Sequence, residues 1–413
     1  MKTALTVALS AAIAAPTGPA CAAVAAWVQM TGAGAEARAI TTAPTCPVVQ
    51  VDGRTRPMTE RAAPTGAFPN RVCVAALARG AARIEIDGQI LRAPSAHPAR
   101  LVILGDSGCR LKGQSFQNCN DPQGWPFGRI AALAAARKPD LVIHLGDYYY
   151  RETPCPTANA GCQGSPYGDR WATWNAELFA PAGALLTSAP WLFVRGNHED
   201  CKRGAGGWFR QLDAAPRVKA CPADSDTFAV EIGGVRLFVV DSADTDDLTA
   251  PADRVAAFAG RLAPLKSSPR GEPAWIVTHR PIWNSARLGD LLGDGYMNAT
   301  ERAAVQSADL AGVDLVLSGH VHNFTTVSFG APRPSQLVVG TGGDTLDLGA
   351  SPPPAAGAAK VDGLPADLFT MGRWGYFVFD RQGADWSGRF YDTQDRVAAI
   401  CRLHRRALTC KAP

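Results

Sequence analysis

Leu141-Val142-Ile143-His144-Leu145-Gly146-Asp147-Tyr148-Tyr149-Tyr150 is the stretch that decides the fold. Its first five residues are apolar except His144, and the run is too short for an ordinary helix. It reads as a strand buried on both faces, of the parallel-sheet type. Gly146 lets the backbone turn, and an acid and three phenols follow where the chain leaves the sheet. In open α/β sheets that carboxyl end is where ligands bind.

Runs of the same kind lie on either side. Residues 101–104 end at Gly105-Asp106, 191–194 at Gly196-Asn197-His198, and 235–240 at Asp241. Residues 274–277 end at Thr278-His279, and 313–317 at Gly319-His320. Between them, 128–137, 171–179, 252–265 and 301–311 carry helical patterns. Alternation of strands and helices defines an α/β domain, assigned to residues 97–413. Residues 24–96 differ. Short β-type runs at 46–51, 71–74 and 82–86 are broken by Gly, Pro and Thr, and Asp87-Gly88 is a hairpin signal. That segment reads as a small all-β sandwich domain, with 94–98 as the linker. Residues 351–359 read as a surface loop, and after Gly372 the pattern is β again, with a turn near Gln382-Gly383.

The chain has 413 residues and a net charge of +4, with both signs interspersed, so no nucleic-acid footprint is indicated. Lys2, an apolar run over 4–15 and small residues after Pro16 read as a signal peptide over 1–23, too short for a membrane span. No integral membrane segment is expected, and the protein is expected to be secreted or periplasmic. Gly18-Pro19-Ala20-Cys21 faintly resembles a lipoprotein cleavage site, although Gly18 is a poor residue at its position. Of the 11 cysteines, ten follow the leader, and none forms a C-x-x-C pair. Oxidised pairing fits export. The expected bridges join Cys46–Cys73, Cys109–Cys119, Cys155–Cys162, Cys201–Cys221 and Cys401–Cys410. Asn298 and Asn323 match the glycan-acceptor pattern.

Five blocks carry the chemistry: Gly105-Asp106-Ser107-Gly108, Gly146-Asp147 with Tyr148-Tyr149-Tyr150, Gly196-Asn197-His198-Glu199, Thr278-His279, and Gly319-His320-Val321-His322. Together they offer two Asp, one Asn, three His and a Tyr, plus a spare His198, a mixed O/N set suited to Fe, Mn or Zn. Two adjacent metals need a shared ligand, and a carboxylate can bridge. A single histidine at a strand end is more often packed than ligating. Here, however, four of only seven histidines in the chain fall inside the blocks. Such a site fits in-line displacement at phosphorus.

On these blocks the chain resembles the calcineurin-like metallophosphoesterases, and within them the purple acid phosphatase branch. Gly108 stands where the common pattern has histidine, and Tyr150 follows Asp147 by three residues. The resemblance covers about residues 99–345. It implies a metallophosphoesterase β-sandwich flanked by helices, an αββα arrangement. It also implies two metal ions, Fe(III) plus Zn, Fe or Mn. Asp106, Asp147, Tyr150 and His322 would hold the first, and Asp147, Asn197, His279 and His320 the second. His198 would contact phosphate or act as general acid. The implied activity is phosphate monoester hydrolysis by a metal-bound hydroxide acting on a small phosphate ester. A phosphodiesterase on the same site, or a non-catalytic surface-binding protein retaining the fold, stays open.

The branch's further substrate histidines are missing, since none occurs between His279 and His320. Arg280 and Arg287 are the available cations for phosphate. His144 reads as a supporting core histidine, Tyr148 and Tyr149 as packing, and Glu199 and Asp200 as structural. Asp241 reads either as a solvated turn residue or as a partner of a ligand histidine. Three of the expected disulfide loops start beside the blocks and would form the pocket rim. Trp125, Tyr167, Trp171 and Trp208 lie in or near them, either packing or stacking on a leaving group.

Overall fold

The computed structural model describes residues 23–216, 220–267, 272–283, 297–330, 333–347 and 355–413. The expected leader except its last residue, Cys21, Arg287 and the start of the expected 351–359 loop lie outside them.

Two sheets face each other. In the first, an eleven-stranded sheet, Arg100–Leu104, Leu141–His144 and Trp191–Phe193 run parallel side by side. In the second, of eight strands, Arg236–Val239, Ala274–Val277, Val313–Ser318 and Ser335–Val339 are parallel neighbours. Period-two alternation explains the layers. Leu101, Ile103, Leu141 and Ile143 point inward, against Leu237, Trp275, Val277, Leu315 and Leu317 of the other sheet. Val102, Leu104 and Val142 point outward, under the helices Phe127–Ala136 and Gly183–Ser188. On the far side, Phe238, Ile276 and Val316 lie under Ala252–Leu262 and Ala299–Val305. Both faces of these strands are covered, which is why they are apolar without a break. The architecture is the expected αββα sandwich.

The N-terminal all-β sandwich is also present. Val48–Val51, Arg54–Pro57, Arg83–Ile86 and Gln89–Arg92 form a four-stranded sheet. Val49, Ile84, Ile86 and Leu91 close its core on Val28, Ala37 and Ala39. The latter belong to the hairpin Ala25–Thr31 and Gly34–Thr41, Ala-rich strands that the sequence patterns had not separated. That hairpin extends the eleven-stranded sheet, with Ala25–Thr31 parallel to Trp191–Phe193. The position near residue 96 is therefore no break in the sheet. Arg38 strengthens the join, donating to Gln211 O at 2.6 Å and Asp213 O at 2.8 Å.

Other differences are local. The expected surface loop over 351–359 gives way from Ala355 to an edge strand, Ala355–Val361, paired with Leu364–Met371. The turn between them at Asp362-Gly363 has both φ angles positive, the tight hairpin geometry that an Asp-Gly pair favours. The helix expected over 301–311 is shorter, Ala299–Val305. Asn298 and Asn323 are each 1% exposed, so burial removes both glycan-acceptor sites from reach.

All five disulfides join the expected partners. Non-reducing peptide mapping should recover these pairs, and a crossed pair such as Cys119–Cys155 would contradict the fold. Replacing Cys46 and Cys73 by serine should cost about 3 kcal/mol in chemical denaturation, because that bridge closes a long loop.

Candidate metal centre

The parallel strands of both sheets deliver their carboxyl ends to one edge, and the turns there are strained. Asp106, Asp147 and His320 have φ of 57°, 56° and 68°, the left-handed region that side chains of this size rarely enter. Each such residue costs on the order of 1–3 kcal/mol and persists only where its surroundings hold it. Asp106 N donates to Gly146 O at 2.9 Å and Ser107 N to Asp147 O at 3.0 Å. His320 N donates to both oxygens of Asp106, at 3.0 and 3.1 Å. Gly146, at φ 100°, is required by close approach as well as conformation. A Cβ there would lie 2.6 Å from His279 Nδ1.

These turns bring the seven expected ligands together. Tyr150 Oη donates to Asp147 Oδ2 at 2.7 Å and lies 2.9 Å from His322 Nε2 and 3.4 Å from Asp106 Oδ1. His279 Nε2 lies 2.9 Å from Asn197 Oδ1 and 3.2 Å from Asp147 Oδ2. Donor atoms of Asp106, Asp147 and His322 lie within 4.8 Å of one another, and so do those of Asp147, His279 and His320. Asp147 is common to both groups. His198 points Nε2 toward the centre, 3.9 Å from Asp147 Oδ2, and its ring lies over Tyr150.

The electrostatics favour cations here. Burial disfavours the imidazolium of His279 and His322, yet Asp147 raises the first to about 9, and Asp344 and Asp106 raise the second to about 10. The buried carboxylates thus recruit positive charge from the nearest imidazoles. Burial, with Asp147, Asp344 and Asp106 nearby, holds the Tyr150 phenol well above its usual range. One phenol proton cannot serve both carboxylates beside it. A buried, acceptor-rich set of two carboxylates, a phenol, an amide and imidazoles fits a pair of metal ions. His198 differs. Burial lowers it to about 4, outweighing the pull of Asp147 and Glu152.

Supporting residues fix this geometry, and several escaped the sequence reading. Glu199 accepts from the backbone N of Asp147, Tyr148, Tyr149 and Gly196 at 2.9–3.0 Å, a structural role as expected. Glu177 accepts from Tyr150 N and Cys109 N, tying the first two blocks together. Glu152 Oε1 lies 2.7 Å from His198 Nδ1, with Lys112 and Arg203 each 3.8 Å from that same oxygen. Asp344 pairs with Arg110 beside His322, and Asp247 faces His320. Glu152, Glu177 and Asp247 follow no glycine-terminated strand, so no local pattern marks them.

The remaining candidates resolve as follows. His144 is buried, stacked on Tyr148 and 2.9 Å from Ser107 Oγ. Tyr148 donates to Val194 O, and Tyr149 stacks on Trp174, so among the three phenols Tyr150 reaches the centre. Asp241 is neither solvated nor bonded to a ligand histidine. It accepts from Arg195, Ser225 N and Ala243 N inside the core. Arg280 is not a free cation, because Asp247 pairs with it and Ser242 O accepts from its Nε. Trp171 packs on Phe179 and Trp208 on Tyr148, whereas Trp125 donates to Ser107 O. Tyr167 is exposed beside Arg170. Cys109–Cys119 and Cys155–Cys162 pack against each other with Leu111, Phe116 and Trp125. A side chain at Gly108 would meet Glu177 Oε2 at 2.6 Å and the Tyr150 ring at 2.7 Å.

Comparison with known proteins agrees with this geometry. The sequence profile of the calcineurin-like phosphoesterase family matches residues 99–324, more than half of the chain. No curated protein sequence matches. Among solved structures, the purple acid phosphatase PPD1 from yellow lupin (Lupinus luteus) seeds aligns with a TM-score of 0.59 at 14% identity, covering 95% of this chain and 74% of that one. A structure of PhoD aligns with a TM-score of 0.55 at 13% identity, covering 96% and 94%. The chain belongs to the calcineurin-like phosphoesterase family and is a metal-dependent phosphoric ester hydrolase.

Behind the centre, Glu301 is fully buried. Thr245 Oγ1 donates to its Oε1, and Oε2 has no hydrogen-bond partner among the described residues. Burial raises its carboxyl to about 7, with Arg280 offsetting part of the effect. The folded state therefore holds this proton more tightly than the unfolded chain. Its contribution is full below about pH 4.5 and is lost as pH rises through about 7. Glu301→Gln should remove roughly 3 kcal/mol of pH-dependent stability loss, seen by comparing denaturation at pH 5 and pH 8 for both proteins.

Proposed function

We propose that this calcineurin-like phosphoesterase is an exported, binuclear enzyme of the purple acid phosphatase type that hydrolyses small phosphate monoesters. The observation that carries the reading is Tyr150 Oη, which sits among Asp106, Asp147 and His322 rather than in the core with Tyr148 and Tyr149. A phenolate there is a strong donor to ferric iron. In this reading Asp106, Asp147, Tyr150 and His322 hold Fe(III). Asp147, Asn197, His279 and His320 hold a second ion, Zn, Fe or Mn. Five disulfides support export, and among the described residues no helix is long and apolar enough to cross a membrane.

The bound ions would supply the charge that activates water and stabilises what develops on phosphorus. The chain supplies the rest. Asp147 is fixed through its own N by Glu199 and through Oδ1 by His198 N, at 3.0 and 2.9 Å, so its Oδ2 faces both groups of ligands. In this reading His198 Nε2 meets a phosphate oxygen or, once the ring is protonated, hands a proton to the leaving alkoxide. Glu152 Oε1 lies 2.7 Å from its Nδ1. Lys112 and Arg203 lie inside loops closed by disulfides, and Glu152 stands just before a third, which supports a rim around His198 that is ordered before substrate arrives.

Elemental analysis with a visible spectrum tests the metal assignment. Purified protein should be coloured, and the band should vanish in Tyr150→Phe; a colourless protein holding only Zn or Mn would contradict Fe(III). Paired assays on an aryl phosphate and its diester decide the substrate class. Asp147→Ala should lose both ions and activity together. His198→Ala should keep its metal and lose about 10²–10⁴ in kcat.

A further inference from the structure

The three histidines at the centre are not held alike. His279 Nδ1 lies 2.7 Å from Leu145 O, and His322 Nδ1 lies 2.8 Å from Thr345 O. A carbonyl only accepts, and at His322 it lies closer than Arg110 Nη2 at 3.3 Å, so in each neutral ring the proton sits on Nδ1 and Nε2 is bare toward the carboxylates. His320 is engaged through its other nitrogen. Its Nε2 lies 3.2 Å from both oxygens of Asp247 and 3.1 Å from Arg280 Nη1.

Those two neighbours make opposite demands on one atom. A carboxylate accepts, so a ring bonded to Asp247 carries its proton on Nε2 and leaves Nδ1 bare. A guanidinium only donates, so a ring bonded to Arg280 keeps Nε2 bare and carries the proton on Nδ1. With Nε2 engaged, Nδ1 is the nitrogen left to join Asp147 and His279, and only the first arrangement lets it bind a metal. Asp247 also pairs with Arg280 itself, which keeps the competing donor occupied.

We propose that Asp247 is a positioning residue for the second metal ion: it selects the His320 tautomer that leaves Nδ1 bare and restrains Arg280 from taking Nε2. The proposal rests on the binuclear reading above. It assigns to Asp247 the part that a carboxylate behind a ligating histidine plays in general. It also separates the two positions, because among the described residues the side chain of Asp247 meets His320 and Arg280, not Asp106, Tyr150 or His322.

Calorimetric uptake of Zn²⁺ by metal-stripped protein, with elemental analysis of the product, tests it. The side chain of Asp247 is 28% exposed, and Asp247→Asn preserves its shape, so the variant should fold. One of the two uptake steps should weaken about 10–100-fold and the other should stay unchanged. Asp247→Glu should restore part of the loss. Adding Arg280→Met to Asp247→Asn should recover affinity, since it removes the competing donor; a merely structural Asp247 predicts a further loss instead. Two unaltered steps, or equal weakening of both, would overturn the proposal. A wild type that takes up fewer than two ions would overturn the binuclear reading on which it stands.

Discussion

The rest of the structure depends on how one carboxylate is held. Asp147 occupies a left-handed backbone conformation, with a fully buried acid, Glu199, accepting from its N. Its Oδ1 accepts from His198 N, and that contact fixes the direction of Oδ2. The fold exists around this residue in a literal sense. Strands from two sheets must end at the same level for Tyr150, His279 and Asp106 to meet it. Main-chain bonds between adjacent turns, such as Asp106 N to Gly146 O and Gly319 N to His279 O, set that level.

Much of this was legible in the sequence because the strands are buried on both faces. Continuous apolar runs of four or five residues with a glycine at the end give the strand, its direction and the residue that follows it. Asp106, Asp147, Asn197 and His320 follow such a glycine and His279 follows Thr278, so these candidate positions could be nominated without the fold. The N-terminal hairpin was less visible. Ala25–Thr31 and Gly34–Thr41 are rich in alanine, and their burial comes from position in the sheet rather than from side-chain bulk.

The supporting shell was illegible for a different reason. Asp247, Asp344, Glu152 and Glu177 reach the centre from loops or from a helical turn, and their partners lie 26–234 positions away. Periodicity carries no information about such pairs. Asp241 shows the converse. It ends a strand as the candidate ligands do, yet points into the core, where Arg195 and Ser225 N donate to it. A strand end nominates a residue; only the neighbouring turns decide which way it faces.

Gly108 and Tyr150 occupy one volume between them. A Cβ at 108 would fall inside contact distance of the phenol ring and of the carboxylate that supports Tyr150 N. The two positions are thus a single steric choice. A chain of this fold can place an imidazole on the first turn or a phenol from the second, but the space admits one ring. Any attempt to convert this centre to a histidine-type site by changing residue 108 alone would dislodge the tyrosine first. The exchange has to be made at both positions at once, with Glu177 following.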